Sequence, residues 1–130
     1  MPDNVTIFTN KRNFIDKIKS QLKPLAFIPY KTKNELSVFD IDVELQQPNC
    51  DDLIFSISDS YVFTGPSFAK ARGDMTTREI QNCSVGGIHF YIDVNNVPDG
   101  HCNIKPTDNL EFDLDRAREL SKIARLKIRK

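Results

Sequence analysis

The chain has 130 residues, the length of one domain, and residues 1–130 are expected to fold as one unit. Its 18 Lys and Arg balance 18 Asp and Glu, which excludes the strongly basic profile of a general nucleic-acid binder and a strongly acidic one alike. Hydrophobic residues make up 39% and charged residues 28%, so a modest packed core is expected, not a disordered chain.

Val5–Thr9 is β-branched and aromatic and reads as a strand, at an edge. From Asn10 the period changes. Phe14, Ile15, Ile18 and Leu22 fall at helical spacing, and Lys23-Pro24 ends the pattern, which predicts a helix over Asn10–Leu22. Leu25–Tyr30 is apolar and of strand length, with Pro29 near its end. In Leu36–Leu45, Phe39, Ile41, Val43 and Leu45 alternate with Asp40, Asp42 and Glu44. This period of two predicts a strand with one apolar and one acidic face.

Leu53–Phe63 alternates again and reads as a strand. Pro66–Asn82 is weakly patterned and reads as a long excursion with a turn of helix. Gly87–Val94 is a clean strand, with Ile88, Phe90, Ile92 and Val94 on one side and His89, Tyr91 and Asp93 on the other. His101–Asn109 reads as irregular. Asp113–Lys130 carries a helical apolar stripe through Leu114, Ala117, Leu120 and Ile123, with Asp113 as cap and a basic end.

These elements predict an α+β domain. A mostly antiparallel sheet of four or five strands would carry the N-terminal and the C-terminal helix on one face. The expected core is Phe14, Ile18, Leu22, Phe39, Ile41, Val43, Phe55, Ile57, Ile88, Phe90, Ile92, Leu120 and Ile123.

Four constellations bear on chemistry. Asp40, Asp42 and Glu44 would stand on one strand face about 6.6 Å apart. Such acids suit a hard cation or a contact surface for a protein partner, and most simply a solvated face. Cys50, Cys83, Cys102, His89 and His101 include ligand types for zinc, but their spacing matches no finger and no C-x-x-C occurs. Reduced thiols are expected, with no resident metal or cofactor. Cys83 with His89 could form a thiol–base pair, against the simpler reading of a small hydrophobe and a surface residue. Gly86-Gly87 precedes a strand and so suits a tight turn better than a phosphate cradle.

Three segments also carry a resemblance. They are Tyr61-Val62-Phe63-Thr64-Gly65, Thr77-Arg78-Glu79 and Cys83-Ser84-x-Gly86-Gly87-Ile88-His89-Phe90-Tyr91. Together they resemble an uncharacterised domain found beside pentapeptide repeats and in phage and large-virus proteins. Its pattern is a Cys, a small residue, then Gly-Ile/Leu-His and a strand. The likeness spans about 30 residues of the chain. It departs by one extra residue between Cys83 and Ile88, and Val94–Asp99 replaces the aromatic-and-alanine segment. The resemblance implies no established activity. It favours an accessory or interaction role and points to Cys83, His89 and the loop before them.

The functional expectation is a small non-catalytic protein-binding module of the immunity, inhibitor or accessory kind. Asp40, Asp42, Glu44, His89, Tyr91 and Asp93 are its candidate contact residues. A small metal- or thiol-dependent hydrolase and a structural part of a viral or phage assembly are the alternatives. A protein partner is expected, and neither nucleic acid nor membrane. Residues 1–9 lack a basic start and a long apolar run, and no stretch approaches about 18 apolar residues. A cytoplasmic chain is therefore expected.

Overall fold

The computed structural model describes residues 1–29 and 34–130. The chain begins with strand β1 (Asn4–Thr9), a 3-10 turn at Arg12–Phe14, and a small hairpin of β2 (Ile15–Asp16) and β3 (Gln21–Leu22). A second 3-10 turn at Pro24–Phe27 precedes β4 (Leu36–Asp40), helix α1 (Asp42–Leu45) and helix α2 (Cys50–Tyr61). Then come β5 (Ala71–Thr76), α3 (Thr77–Asn82), β6 (Ser84–Val85), β7 (Ile88–Val94) and β8 (His101–Pro106). Helix α4 (Leu114–Ile123) and β9 (Arg125–Ile128) close the chain. The architecture is α+β. The main sheet has seven antiparallel strands in the order β6-β7-β8-β4-β1-β5-β9, not four or five, and β2-β3 form a separate ribbon.

The strand expected over Leu36–Leu45 stops at Asp40, because Ile41 turns the chain out of the sheet (φ −122°, ψ 15°). Asp40 Oδ1 accepts the Asp42 amide at 2.9 Å. The Asp42 carboxylate accepts the amides of Asp3 and Asn4, each at 2.8 Å, and the Asn4 side-chain amide at 3.1 Å. Charge-assisted bonds of this kind outweigh a two-residue alternation. Val43 is left 71% exposed instead of in the core. Leu53–Phe63 is helical instead of extended. Ile54, Phe55 and Ser58 are buried at helical spacing, and Asp51 and Asp52 sit in the first turn, where the helix dipole favours them.

Asn10–Leu22 forms no helix. Asp16 Oδ1 takes the Lys19 amide at 3.0 Å and the Phe14 carbonyl takes the Lys23 amide at 2.7 Å, which folds the segment back as a hairpin. Ile18 lies in its turn, 98% exposed, while Leu22 reaches the core. The expected strand Leu25–Tyr30 is a 3-10 turn opened by Pro24, and position 30 lies outside the described residues. Within Pro66–Asn82, β5 and α3 replace the excursion. Thr76 Oγ1 accepts the Glu79 amide and the Glu79 carboxylate accepts the Thr76 amide, a full capping box. β8 orders a segment that reads as irregular. Asp113 does cap α4 through the Arg116 amide, but the helix ends at Ile123 and the chain continues as β9. β1 is an interior strand between β4 and β5, not an edge. Gly86 and Gly87, at φ +59° and +81°, make the two-residue turn between β6 and β7.

Helices cover both faces of the sheet, not one. On the first face Val5, Val38, Met75, Phe90 and Ile104 pack with Phe27, Ile80 of α3, and Ala117 and Leu120 of α4. Gly73 permits the close approach there, since a Cβ would stand 3.0 Å from Leu22 Cδ1 and 3.1 Å from Ala124 Cβ. On the second face Phe8 and Phe39 pack against Ile54 and Phe55 of α2. Of the expected core, Leu22, Phe39, Ile41, Phe55, Phe90, Ile92 and Leu120 are buried. Phe14, Ile57, Ile88 and Ile123 are half-buried.

Beneath α2 the second face also buries charge. Arg72 is 1% exposed and its guanidinium meets Asp74 at 3.0 Å, Asp51 at 2.9 Å and the Phe55 ring at 5.2 Å. Thr6 donates to Asp74 at 2.7 Å. Arg129 clamps Asp59 with two bonds of 2.7 and 2.8 Å, holding that carboxyl below its ordinary range. The same guanidinium lies 5.1 Å from the Phe55 ring.

Candidate functional site

Alternation along β7 turns Phe90 and Ile92 into the first-face core and sends Tyr91 and Asp93 to the second face. His89, beside the turn, bonds instead to the Gln81 carbonyl of α3, a helix of the first face. Register sets Tyr91 beside Lys105 and Asp93 beside Asn103, and Asn103 in turn beside Ser37 of β4. Among the described residues no helix packs on the β7–β8 part of this face, since α2 reaches only as far as Phe39. Tyr91 is 41% exposed there.

Charges on this surface are tied down. Lys105 Nζ bridges Asp93 at 2.8 Å and Glu35 at 3.2 Å, and these bonds raise the lysine above its ordinary pKa. Next to them, His101 Nε2 lies 3.2 Å from the Ser37 hydroxyl and the imidazole stands 5.4 Å from the Phe39 ring. Burial pushes His101 below its ordinary value, opposed by Glu35.

Part of the edge beside this face is unpaired. Thr107 donates to the His89 carbonyl at 2.9 Å and Asn95 to the His101 carbonyl at 3.0 Å. Antiparallel alternation then directs the backbone groups of His89, Tyr91 and Asp93 at β8 and those of Phe90, Ile92 and Val94 away from it. β6 pairs only with Ile88 and His89. Among the described residues, no strand pairs with Ile92–Val94 on its outer side; Phe90 and Ile92 are themselves buried, and Val94 is 42% exposed. At the opposite edge, β9 is four residues long and carries Arg125 and Lys127, charges that discourage edge pairing. β7 has seven residues and no lysine or arginine.

The remaining candidates are placed elsewhere. Asp40, Asp42 and Glu44 do not line a strand face, because Asp42 opens α1 and its carboxylate anchors the start of β1. One carboxylate oxygen of Glu44 is buried without a partner among the described residues. All three cysteines are free thiols. Cys83 is half-buried with its sulfur 3.9 Å from the Glu119 carbonyl, and burial, then Glu119 and Glu79, push its thiol up. His89 Nδ1 donates to the Gln81 carbonyl at 3.0 Å. Each of the two groups thus meets a backbone carbonyl. No group of three or more potential metal ligands occurs among the described residues. No helix of the described residues is long and apolar enough to cross a membrane.

Comparison with protein-family models, with curated proteins and with solved structures gave no match. Ser37, His101 and Lys105 join this face, around a buried Asn103, although their sequence context gives no hint of it. The period-two pattern of β8 is broken by its buried Asn103 and closing Pro106.

Proposed function

We propose that this protein is a non-catalytic protein-binding module that takes an extended segment of its partner as an added strand along β7. The unpaired outer side of β7 over Ile92–Val94 carries this reading. An exposed row of outward N–H and C=O groups is a template for one more strand. Backbone bonds would supply affinity for any extended segment, and Tyr91 and Asp93 would select its side chains. Tyr91 offers an apolar ring with a polar tip, a residue type enriched at interfaces. The Lys105 bridge fixes Asp93 in place, so little side-chain freedom is lost on binding.

The resemblance of segments within residues 61–91 to an uncharacterised domain favours an accessory or interaction role, in line with this reading. An inhibitor, immunity or accessory protein would use such an edge. The acidic residues play a different part from the one expected. Asp42 is committed to β1, so the contact surface centres on Tyr91 and Asp93, with His89 at its α3 end.

Photo-crosslinking in the native host tests the proposal. A benzophenone amino acid replacing Tyr91 is expected to give one dominant protein adduct. The substitution Val94→Pro removes an outward N–H on an edge strand, where proline is tolerated. It is expected to reduce that adduct about tenfold with little change in melting temperature. An adduct indifferent to Val94→Pro, or equally abundant with the crosslinker at Ile18, would sink the reading.

A further inference from the structure

At the far side of the sheet from β7, three strands deliver their ends to one place. Lys70 donates its amide to the Thr9 carbonyl at 2.8 Å, and Arg129 donates its own to the Lys70 carbonyl at 2.9 Å. The end of β1, the approach to β5 and the end of β9 are therefore stitched together. The β2–β3 ribbon folds over the same end. Between them lies a cleft of about 570 Å³, lined by Arg12, Lys17, Lys70, Arg129 and Lys130. These cations come from four segments spread over the whole chain, so no local sequence run announces them. No carboxylate lines the cleft.

The charge is largely uncompensated. Asp59 neutralises Arg129, but among the described residues Arg12, Lys17, Lys70 and Lys130 make no ion pair. In a chain of zero formal charge, this is a concentrated positive field. The lining is also apolar in part. Ile15 and Ile128 contribute, and Phe68 is 42% exposed with its ring 5.7 Å from the Arg129 guanidinium. An aromatic face held by a fixed arginine is a stacking platform for a flat ring.

We infer that this cleft binds a small phosphate ester with a flat apolar body, the class of mononucleotides. Lysines and an arginine converging on a bounded space suit a phosphate or diphosphate group. Phe68 suits the ring that such an ester carries. A long polyanion fits less well. On the other side of Arg129, a neighbouring cleft of about 300 Å³ presents Asp51 and Asp52, which would repel a strand continuing past Lys130. The site lies away from the β7 edge and is independent of the strand-addition reading.

Calorimetric titration of the full chain with inorganic pyrophosphate and with adenosine diphosphate tests this. Both are expected to bind, the nucleotide about tenfold more tightly. Lys17→Glu together with Lys70→Glu should weaken both by at least about tenfold, with an unchanged circular dichroism spectrum. Lys17→Ala together with Lys70→Ala serves if the charge reversal impairs folding. Phe68→Ala should erase the nucleotide's advantage and leave pyrophosphate unchanged. Absence of binding at millimolar ligand, or binding indifferent to both lysine pairs, would overturn the site. Equal affinity for the two ligands would overturn the flat-body part. A single-stranded oligonucleotide bound far more tightly than the nucleotide would overturn the small-ligand class in favour of nucleic acid.

Discussion

Asp74→Ala is expected to destabilise the protein by about 3–5 kcal/mol, the range for breaking a buried ion pair from one side. The substitution leaves the Arg72 guanidinium beneath α2 with Asp51, itself on the solvent side of the helix, as its remaining anion. Nη1 of Arg72 already lacks a hydrogen-bond partner among the described residues. A buried cation without compensation is far worse than no cation, because its lost hydration is not replaced. The double variant Arg72→Met, Asp74→Ala removes both charges. It should recover at least about 2 kcal/mol of the loss, since apolar replacements of buried pairs are often near neutral. Urea denaturation of the two variants decides the matter. A loss under about 1 kcal/mol for Asp74→Ala, or strictly additive effects, would mean the network does not hold α2 on the sheet.

Phe27→Ala is expected to cost a similar amount, about 3–5 kcal/mol. Phe27 is completely buried, although it sits in a four-residue 3-10 turn with no strand partner. The turn packs along α4, and the Phe27 ring fills the first-face core with Leu22 and Leu120. For a domain of this size the melting temperature should fall by roughly 10–20 °C. Leu25→Ala, two residues away and exposed, should change it little. Equal shifts for the two would contradict the placement of this turn and restore the extended reading of the segment.

Where the sequence was legible, one force acted alone. β7 alternates because one side is core and the other solvent, and the Gly86-Gly87 turn before it leaves no competing geometry. Asp113 caps α4 as its position suggests. The same rule misleads at Leu36–Leu45, where the alternation is real but Asp42 is drawn to the amides of Asp3 and Asn4, distant in sequence. α2 shows a different conflict. Leu53, Phe55 and Ile57 imitate a strand, whereas Asp51-Asp52 ahead of a buried Ile54, Phe55, Ser58 stripe is the helix signal. The Thr76-x-x-Glu79 capping box was equally available and decides α3. β9 hides behind the helical stripe of α4, because Ala124 continues that stripe in sequence while its backbone (ψ 132°) has already left the helix.

The candidate surfaces divide in the same way. His89, Tyr91 and Asp93 belong to one strand and could be read together. Their neighbours Ser37, Asn103 and Lys105 come from two other strands, and register alone unites them. The cationic cleft is more dispersed still, from Arg12 to Lys130. Zero net charge therefore describes a molecule with one tied-down polar face and one concentrated positive end.

Amide hydrogen exchange, resolved by residue along β7, tests the strand-addition account most directly. In the isolated protein the Ile92 and Val94 amides face away from β8 and should exchange far faster than those of Tyr91 and Asp93. With the crosslinked partner supplied in excess, the two fast amides should become as protected as their neighbours. Protection of Ile92 and Val94 already in the isolated chain, or no change on adding the partner, would contradict it.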